Sequence, residues 1–368
     1  QKQAVDAMIA ASNTGGLILS ATGSGKTFTV GEFFRRLEGC GCFIVDELAL
    51  MTQAQKELAN VLKESVGIVG HSEFRPSRIT VATIQTLHRH RGKPKFQEWF
   101  ASLEVVVLDE IHVQLNRRNI DIIHLIQPKA VFGLTATLEM AKRHVHLPAM
   151  ALAGPPIFEY PIHQGVEEGY LCKGTIYFAP CRFKVTPTTY EHDYAVCITH
   201  NKQRNELIAD LARAAVRRGR RVIVVGERIP HIKKLSLTMQ DIPHRIISGA
   251  YSAEERADAI RAMNKGKLRL IIASRVFGKG IDVPNADTII DVGAGAAGNS
   301  AIQKYGRGTR MVEGKTLVHI DIADRGNRFE DASWSRRRAL VSLGMPYKDL
   351  TIPIRIEEIF GRDQSTSR

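Results

Sequence analysis

The stretch Leu17-Ile18-Leu19-Ser20-Ala21-Thr22-Gly23-Ser24-Gly25-Lys26-Thr27-Phe28-Thr29-Val30 runs from an apolar segment through a glycine-rich turn into a second, helix-like segment. It reads as a buried strand, a loop and a helix. Gly23 and Gly25 let the backbone curl, so that the N–H groups of Thr22 to Thr27 and the helix N-terminus face an anion. Lys26 would reach the terminal phosphates of a nucleoside triphosphate as a point charge, and Thr27 would hold magnesium. Ser20 stands where the strict G-x-x-x-x-G-K-[ST] pattern begins with glycine, which leaves several loop families open. A purely structural glycine-rich turn is the alternative.

Two further runs bear on that choice. The apolar segment Val105-Val106-Val107-Leu108 ends in Asp109-Glu110-Ile111-His112, which places two carboxylates at the carboxyl edge of a sheet, where open α/β folds bind ligands. Asp109 would hold Mg²⁺ through its water shell, and Glu110 would polarise the water that attacks the γ-phosphate. A helix N-cap with an acidic first turn would give the same letters. Downstream, Gln303-Lys304-Tyr305-Gly306-Arg307-Gly308-Thr309-Arg310 puts Arg307 and Arg310 on one helical face. Such a pair can meet one phosphoryl group and stabilise charge growing in its transition state; a solvated basic face is the plain alternative.

Taken in order, these runs resemble those of a superfamily 2 DExH-box helicase, and the resemblance extends over nearly the whole chain. Gln1, with Ala4 and Val5, is similar to the glutamine motif that reads adenine. Ala21 to Thr27 resembles motif I, Phe43 to Gln53 motif Ia, and Ile79 to Leu87 motif Ib. Asp109 to His112 resembles motif II in its DExH form, and Leu134-Thr135-Ala136-Thr137 motif III. Arg221 to Val225 resembles motif IV, Ala273 to Pro284 motif V, and Gln303 to Arg310 motif VI. Asn201 to Ile208, Gly226 to Leu235 and Asp321 to Arg328 are similar to the branch that holds phage recombination helicases of the UvsW type and excision-repair helicases of the XPB type. Two departures stand out: Ile111 at the third DExH position, and Asp46-Glu47 where motif Ia usually has Pro and Thr or Ser. Two acids there would repel a phosphate backbone.

The resemblance implies an α/β fold of two tandem RecA-like domains, each a mainly parallel sheet flanked by helices, with a nucleotide cleft between them. It implies ATP and Mg²⁺ as ligands and an ATP hydrolase stimulated by nucleic acid. Lys26, Glu110, Gln303, Arg307 and Arg310 would be catalytic, with Gln1, Gly280 and Asp282 at the nucleotide. His112, Thr135 and Thr137 would couple the γ-phosphate to movement, although a Thr-capped turn explains either hydroxyl equally well. Thr83, Gln85, Arg89, Thr199 and Arg204 are the candidate nucleic-acid contacts, since hydroxyls, amides and arginines hold phosphates without reading bases. The implied substrate is single-stranded or branched DNA, traversed 3′ to 5′ by a monomer with partner proteins allowed, in recombination, repair or fork remodelling. An RNA helicase, or the motor of a restriction or repair assembly that translocates without unwinding alone, are the rival readings.

Composition supports a polyanionic partner. The chain has 368 residues and a formal net charge of +13, with a pI near 9.6, and basic surfaces release counterions on binding nucleic acid. His88-Arg89-His90-Arg91, Arg117-Arg118, Arg217 to Arg221 and Arg336-Arg337-Arg338 are the basic clusters; most such runs are solvated faces. No apolar run is long enough to span a bilayer. Five cysteines without paired C-x-x-C spacing fit reduced thiols and a cytoplasmic setting, and Cys40-Gly41-Cys42 is a weak metal pattern. Alternating strand and helix patterns give domains over 1–153 and 188–345. The Gly- and Pro-punctuated stretch 154–187 reads as a connector, and 346–368 as a frayed tail. Beginning at Gln1 without Met, the chain reads as a piece of a longer protein.

Overall fold

The short apolar runs become strands of two sheets, one in each of two units, Gln1–Gly165 and Val166–Arg368. The computed structural model describes residues 1–46, 48–136, 143–274, 283–295 and 298–361.

In the first unit the strands are β1 (Gly16–Ser20), β2 (Gly41–Val45), β3 (Gly67–Gly70), β4 (Glu73–Arg75), β5 (Ile79–Thr83), β6 (Val105–Leu108), β7 (Ala130–Thr135) and β8 (Pro156–Tyr160). They are ordered β4-β3-β5-β2-β6-β7-β1-β8. All ladders are parallel except that of β3 with β4. Continuous apolar strands demand cover on both faces. Val105 and Val107 of β6 join one core with Val30, Phe33 and Phe34 of the helix Lys26–Arg36 and Leu58 of the helix Leu48–Leu62. Val106 and Leu108 join the opposite core with Leu87, Trp99, Phe100 and Ile123.

The second unit holds β9 (Gly174–Arg182), β10 (Val222–Val225), β11 (His244–Ile247), β12 (Leu270–Ala273), β13 (Thr288–Asp291), β14 (Leu317–Arg325) and β15 (Tyr347–Asp349). The order is β11-β12-β10-β13-β14-β9-β15, and every ladder is parallel. One face is apolar, with Val222, Val224, Ile290, Ile320 and Ile322 packed on the helices Lys202–Arg217 and Ile229–Thr238. Against the other face lie the helices Gly298–Gly308 and Glu330–Val341. Two parallel α/β sheets with flanking helices are the expected tandem RecA-like architecture.

The expected boundaries need correction. The supposed connector 154–187 supplies β8, an edge strand of the first sheet paired with β1, and β9, an inner strand of the second. Its prolines fit because they fall where no N–H is needed: Pro156 opens an edge strand, and Pro180 lies past Phe178, the last β9 residue paired with β15. Nor is the tail frayed through Gly361. β15 pairs with β9, and Leu350 and Ile359 are buried in the apolar core.

Candidate nucleotide site and nucleic-acid groove

The turn after β1 has the backbone that its glycines permit. Gly23 and Gly25 lie at φ 87° and 85°, in the left-handed region that side chains resist, and Gly25 caps the helix that begins at Lys26. Gln1 lies on this turn: its Nε2 donates to the Ser24 carbonyl at 3.0 Å. Ser20 Oγ and Ser24 Oγ are 2.6 Å apart, so the serine at the first motif position braces the loop through its side chain. The Thr22 hydroxyl is buried there without a hydrogen-bond partner among the described residues.

Lys26 and Glu110 come from separate strand ends and meet. Lys26 Nζ donates to Glu110 Oε1 at 3.4 Å and lies 3.5 Å from the Ser20 carbonyl, with the two side chains only 13% and 24% exposed. Glu110 occupies the N-cap position of the helix Ile111–Gln114, but its side chain makes no capping bond. The capping alternative therefore fails for Glu110, whose carboxylate is turned to the lysine. Its backbone is at φ 45° and ψ 54°, rare for a non-glycine residue and concentrated at functional sites. Asp109 Oδ1 accepts from the Glu110 N–H at 3.1 Å, and Gln114 Nε2 holds the Asp109 carbonyl at 2.7 Å.

His112 bridges this acid pair to the neighbouring strand. Its Nδ1 lies 3.0 Å from Thr135 Oγ1, at the end of β7, and 3.5 Å from Glu110 Oε2. The expected coupling residues His112 and Thr135 are thus in contact, while Thr137, Gly280 and Asp282 lie outside the described residues. Asp109 and Thr27 could each offer only oxygen to a magnesium ion that keeps most of its waters. No cluster of metal-caging His, Cys, Asp or Glu side chains occurs among the described residues. Cys42 is buried in the apolar core, and burial raises its thiol pKa.

In the second unit, Gln303 and Arg307 lie on the helix Gly298–Gly308, with Arg310 just past its end, all three half-buried. The opposite side of that helix is fixed: Tyr305 is fully buried, and Lys304 Nζ donates to Asp291 Oδ1 and Oδ2 at 2.8 and 2.9 Å. Burial opposes the charge on Asp291, but Lys304 and Arg336 outweigh it and lower its pKa.

Three candidate nucleic-acid contacts are corrected by burial. Thr83 is 1% exposed, and its hydroxyl pairs with Thr86 at 2.9 Å. Thr199 is buried in a π-helical turn, Ala195–Thr199. Arg204 is fully buried, donating to Asp324 at 2.8 and 3.2 Å and to the Val292 carbonyl at 3.1 Å. Gln85 and Arg89 are exposed and line a groove of about 760 Å³ with Asp46, His88, Arg117 and Arg118. Gln85 Nε2 donates to the Asp46 carbonyl and carboxylate at 2.8 and 3.1 Å, so Asp46 anchors the motif Ib helix. Two other basic clusters are largely structural. Arg220 bonds the Asp287 and Thr316 carbonyls, and Arg336 bonds Asp321.

Sequence reasoning missed the buried charge network of Asp291, Lys304, Asp321, Arg336, Arg204 and Asp324. A signal existed: acids within the otherwise apolar strands β13 and β14, where only a partner makes burial tolerable.

Two family models match the chain: "Type III restriction enzyme, res subunit" over residues 1–140 and "Helicase conserved C-terminal domain" over 203–312. The Rad25 protein of Haloarcula marismortui is 26% identical over 90% of this chain and 53% of its own length. The DNA 3′-5′ helicase XPB of Kineococcus radiotolerans is 23% identical over 90% of this chain and 61% of its own. These matches support a superfamily 2 helicase of the XPB-like branch. The fold agrees: helicase Lhr of Mycobacterium smegmatis, solved with ssDNA and AMP-PNP, superposes with a TM-score of 0.61 at 18% identity, covering 95% of this chain and 49% of that one. The chain spans little more than half the length of the first curated relatives it matches. Among its described residues no helix is long and apolar enough to cross a membrane.

Proposed function

We propose that this chain hydrolyses ATP with Mg²⁺ at the first-unit site and uses the cycle to move 3′ to 5′ along DNA, separating strands or remodelling branched substrates. The observation that carries the reading is the convergence of Lys26, Glu110, His112 and Thr135, from three different strand ends, within 3.5 Å contacts. Lys26 meets the terminal phosphates, and Glu110 orients the attacking water. Asp109 and Thr27 would hold magnesium, which would supply charge neutralisation at the phosphoryl group. Thr135 reports the state of the γ-phosphate through His112. Gln303, Arg307 and Arg310 would stabilise charge on the transferring phosphoryl group, and the hydrolysis cycle would alternate the grip on a strand. DNA as the substrate rests on the named activity of the XPB relative and on the net charge of +13. In this reading phosphates run along the groove of Gln85, Arg89, Arg117 and Arg118, and the protein acts as a cytoplasmic monomer.

The test is the steady-state ATPase rate without nucleic acid and with single-stranded DNA, forked DNA and matched RNA, at two salt concentrations. Stimulation by DNA, strongest with forks, is expected. Stimulation by RNA alone would assign the chain to RNA, and a rate indifferent to all three would overturn the motor reading for the isolated chain.

A further inference from the structure

We propose that Lys315 is a positioning residue for Arg310: its ammonium clamps the backbone carbonyls of Arg310 and Pro284 and so fixes the chain from which the arginine meets the transferring phosphoryl group. The inference rests on the ATP reading above.

Arg307 and Arg310 are held by different means. Arg307 lies within the helix Gly298–Gly308, whose inner side is fastened by Lys304 and the buried Tyr305. Arg310 lies past the helix end, where the last carbonyls need partners from outside the helix. Those partners come from several directions. The Thr309 hydroxyl donates to the Gly306 carbonyl at 2.8 Å, Cys172 Sγ lies 3.5 Å from the Gly308 carbonyl, and the Cys172 N–H donates to the Thr309 carbonyl at 2.7 Å. The last of these belongs to an isolated antiparallel bridge between Leu171 and Arg310. The Arg310 carbonyl goes to a side chain instead: Lys315 Nζ donates to it at 3.1 Å and to the Pro284 carbonyl at 2.6 Å.

The lysine is aimed by its own turn. Its N–H donates back to the Val312 carbonyl at 3.0 Å, with Gly314 at φ 70°, as a type II turn requires at its third residue. An ammonium has three donors and no acceptor, so it can hold two carbonyls at once, and a cation just past a helix C-terminus is favoured by the helix dipole. Two stretches are joined in this way, because Pro284 ends the one that resembles motif V and Arg310 the one that resembles motif VI. A lysine that only capped the helix would hold a carbonyl of its last turn. This one holds the carbonyl of the arginine itself.

The experiment measures equilibrium binding of fluorescent mant-ADP, with magnesium, in the presence and absence of aluminium fluoride, which imitates the phosphoryl group in transfer. It compares wild type, Arg310→Ala, Lys315→Met and Lys315→Arg, and needs no turnover. Affinity without fluoride should be the same in all four. Lys315→Met, which keeps the apolar stem and removes the ammonium, is expected to lose roughly 10²-fold of the tightening that fluoride brings, the scale of a misplacement of about 1 Å. Its kcat should fall with KM unchanged, as for an interaction made only in the transition state, and Lys315→Arg, which keeps a multiple donor, should retain most of the tightening. Loss of the tightening in Arg310→Ala but not in Lys315→Met would overturn the positioning role alone. Full tightening in Arg310→Ala would contradict the phosphoryl role of Arg310 in the ATP reading, and the positioning role with it. Equal weakening with and without fluoride in Lys315→Met, or a urea midpoint lowered as far as in Lys304→Ala, would make Lys315 a stability residue and overturn the proposal.

Discussion

Glu110 holds a backbone conformation that costs a non-glycine residue on the order of 1–3 kcal/mol, and the local fold sustains it with its carboxylate beside Lys26. Replacing the carboxylate by an amide of the same shape keeps that geometry and removes the group proposed to polarise water. Glu110→Gln is therefore expected to bind ATP normally but lose roughly 10²- to 10⁴-fold in turnover, which single-turnover hydrolysis would show. A rate close to wild type would remove Glu110 from the chemistry. Lys26→Ala removes the charge proposed to meet the terminal phosphates, and binding should fail in an equilibrium nucleotide titration and hydrolysis in an ATPase assay. The sequence singled out these residues because phosphate chemistry requires particular side chains at fixed spacing, and the fold brings the two side chains together. Thr83, Thr199 and Arg204 were misread because residue type does not reveal burial: an arginine reads as a surface contact until Asp324 is found opposite it in the core.

The helix Gly298–Gly308 shows how an element is aimed. Its inner side is fastened by Lys304 to Asp291 at the end of β13, and the adjacent Arg336 holds Asp321 on β14 while donating to the Gly295 carbonyl at 3.0 Å. Removing one partner leaves an uncompensated buried charge, so Lys304→Ala should destabilise the protein by about 3–5 kcal/mol, read from the urea midpoint. A loss below about 1 kcal/mol would show the pair to be dispensable. Arg310→Ala acts differently. It should leave ATP binding intact and lower kcat by roughly 10³-fold or more, whereas weakened binding with an unaltered saturated rate would contradict a transition-state role. Most parallel strands were legible as apolar runs. β8 and β9 were not, because glycine and proline mark a turn and a strand end alike, and only the ladder partners show which.

At the scale of the whole molecule, charge and pH have opposite localities. The groove of Gln85, Arg89, Arg117 and Arg118 is exposed, so its effect is screened by salt, and each arginine removed should lower the salt slope of DNA binding by about one. Buried histidines respond to pH instead. Burial pushes the pKa of His319 down to about 4, with Lys304 and Arg336 acting in the same direction against Asp291. Burial, with Arg204 nearby, also lowers that of His231. A histidine depressed in the folded state takes up its proton on unfolding, so its stabilising effect is complete above about pH 6.5 and is lost as pH falls toward about 4. For His319 this amounts to at most about 3 kcal/mol, and the pH slope of urea stability between 7 and 4.5 should flatten in His319→Gln. An identical slope would assign the acid sensitivity elsewhere. The two-unit organisation was legible from the repeated α/β pattern, but the boundary was not, since strands from the supposed connector complete both sheets.

The central claim, an ATP-driven motor that moves 3′ to 5′ on DNA, is tested most directly by displacement of a labelled strand from partial duplexes carrying either a 3′ or a 5′ single-stranded tail. The account predicts ATP-dependent displacement from the 3′-tailed substrate, little from the 5′-tailed one, and none with Glu110→Gln. Equal displacement without ATP, or a preference for the 5′ tail, would contradict it.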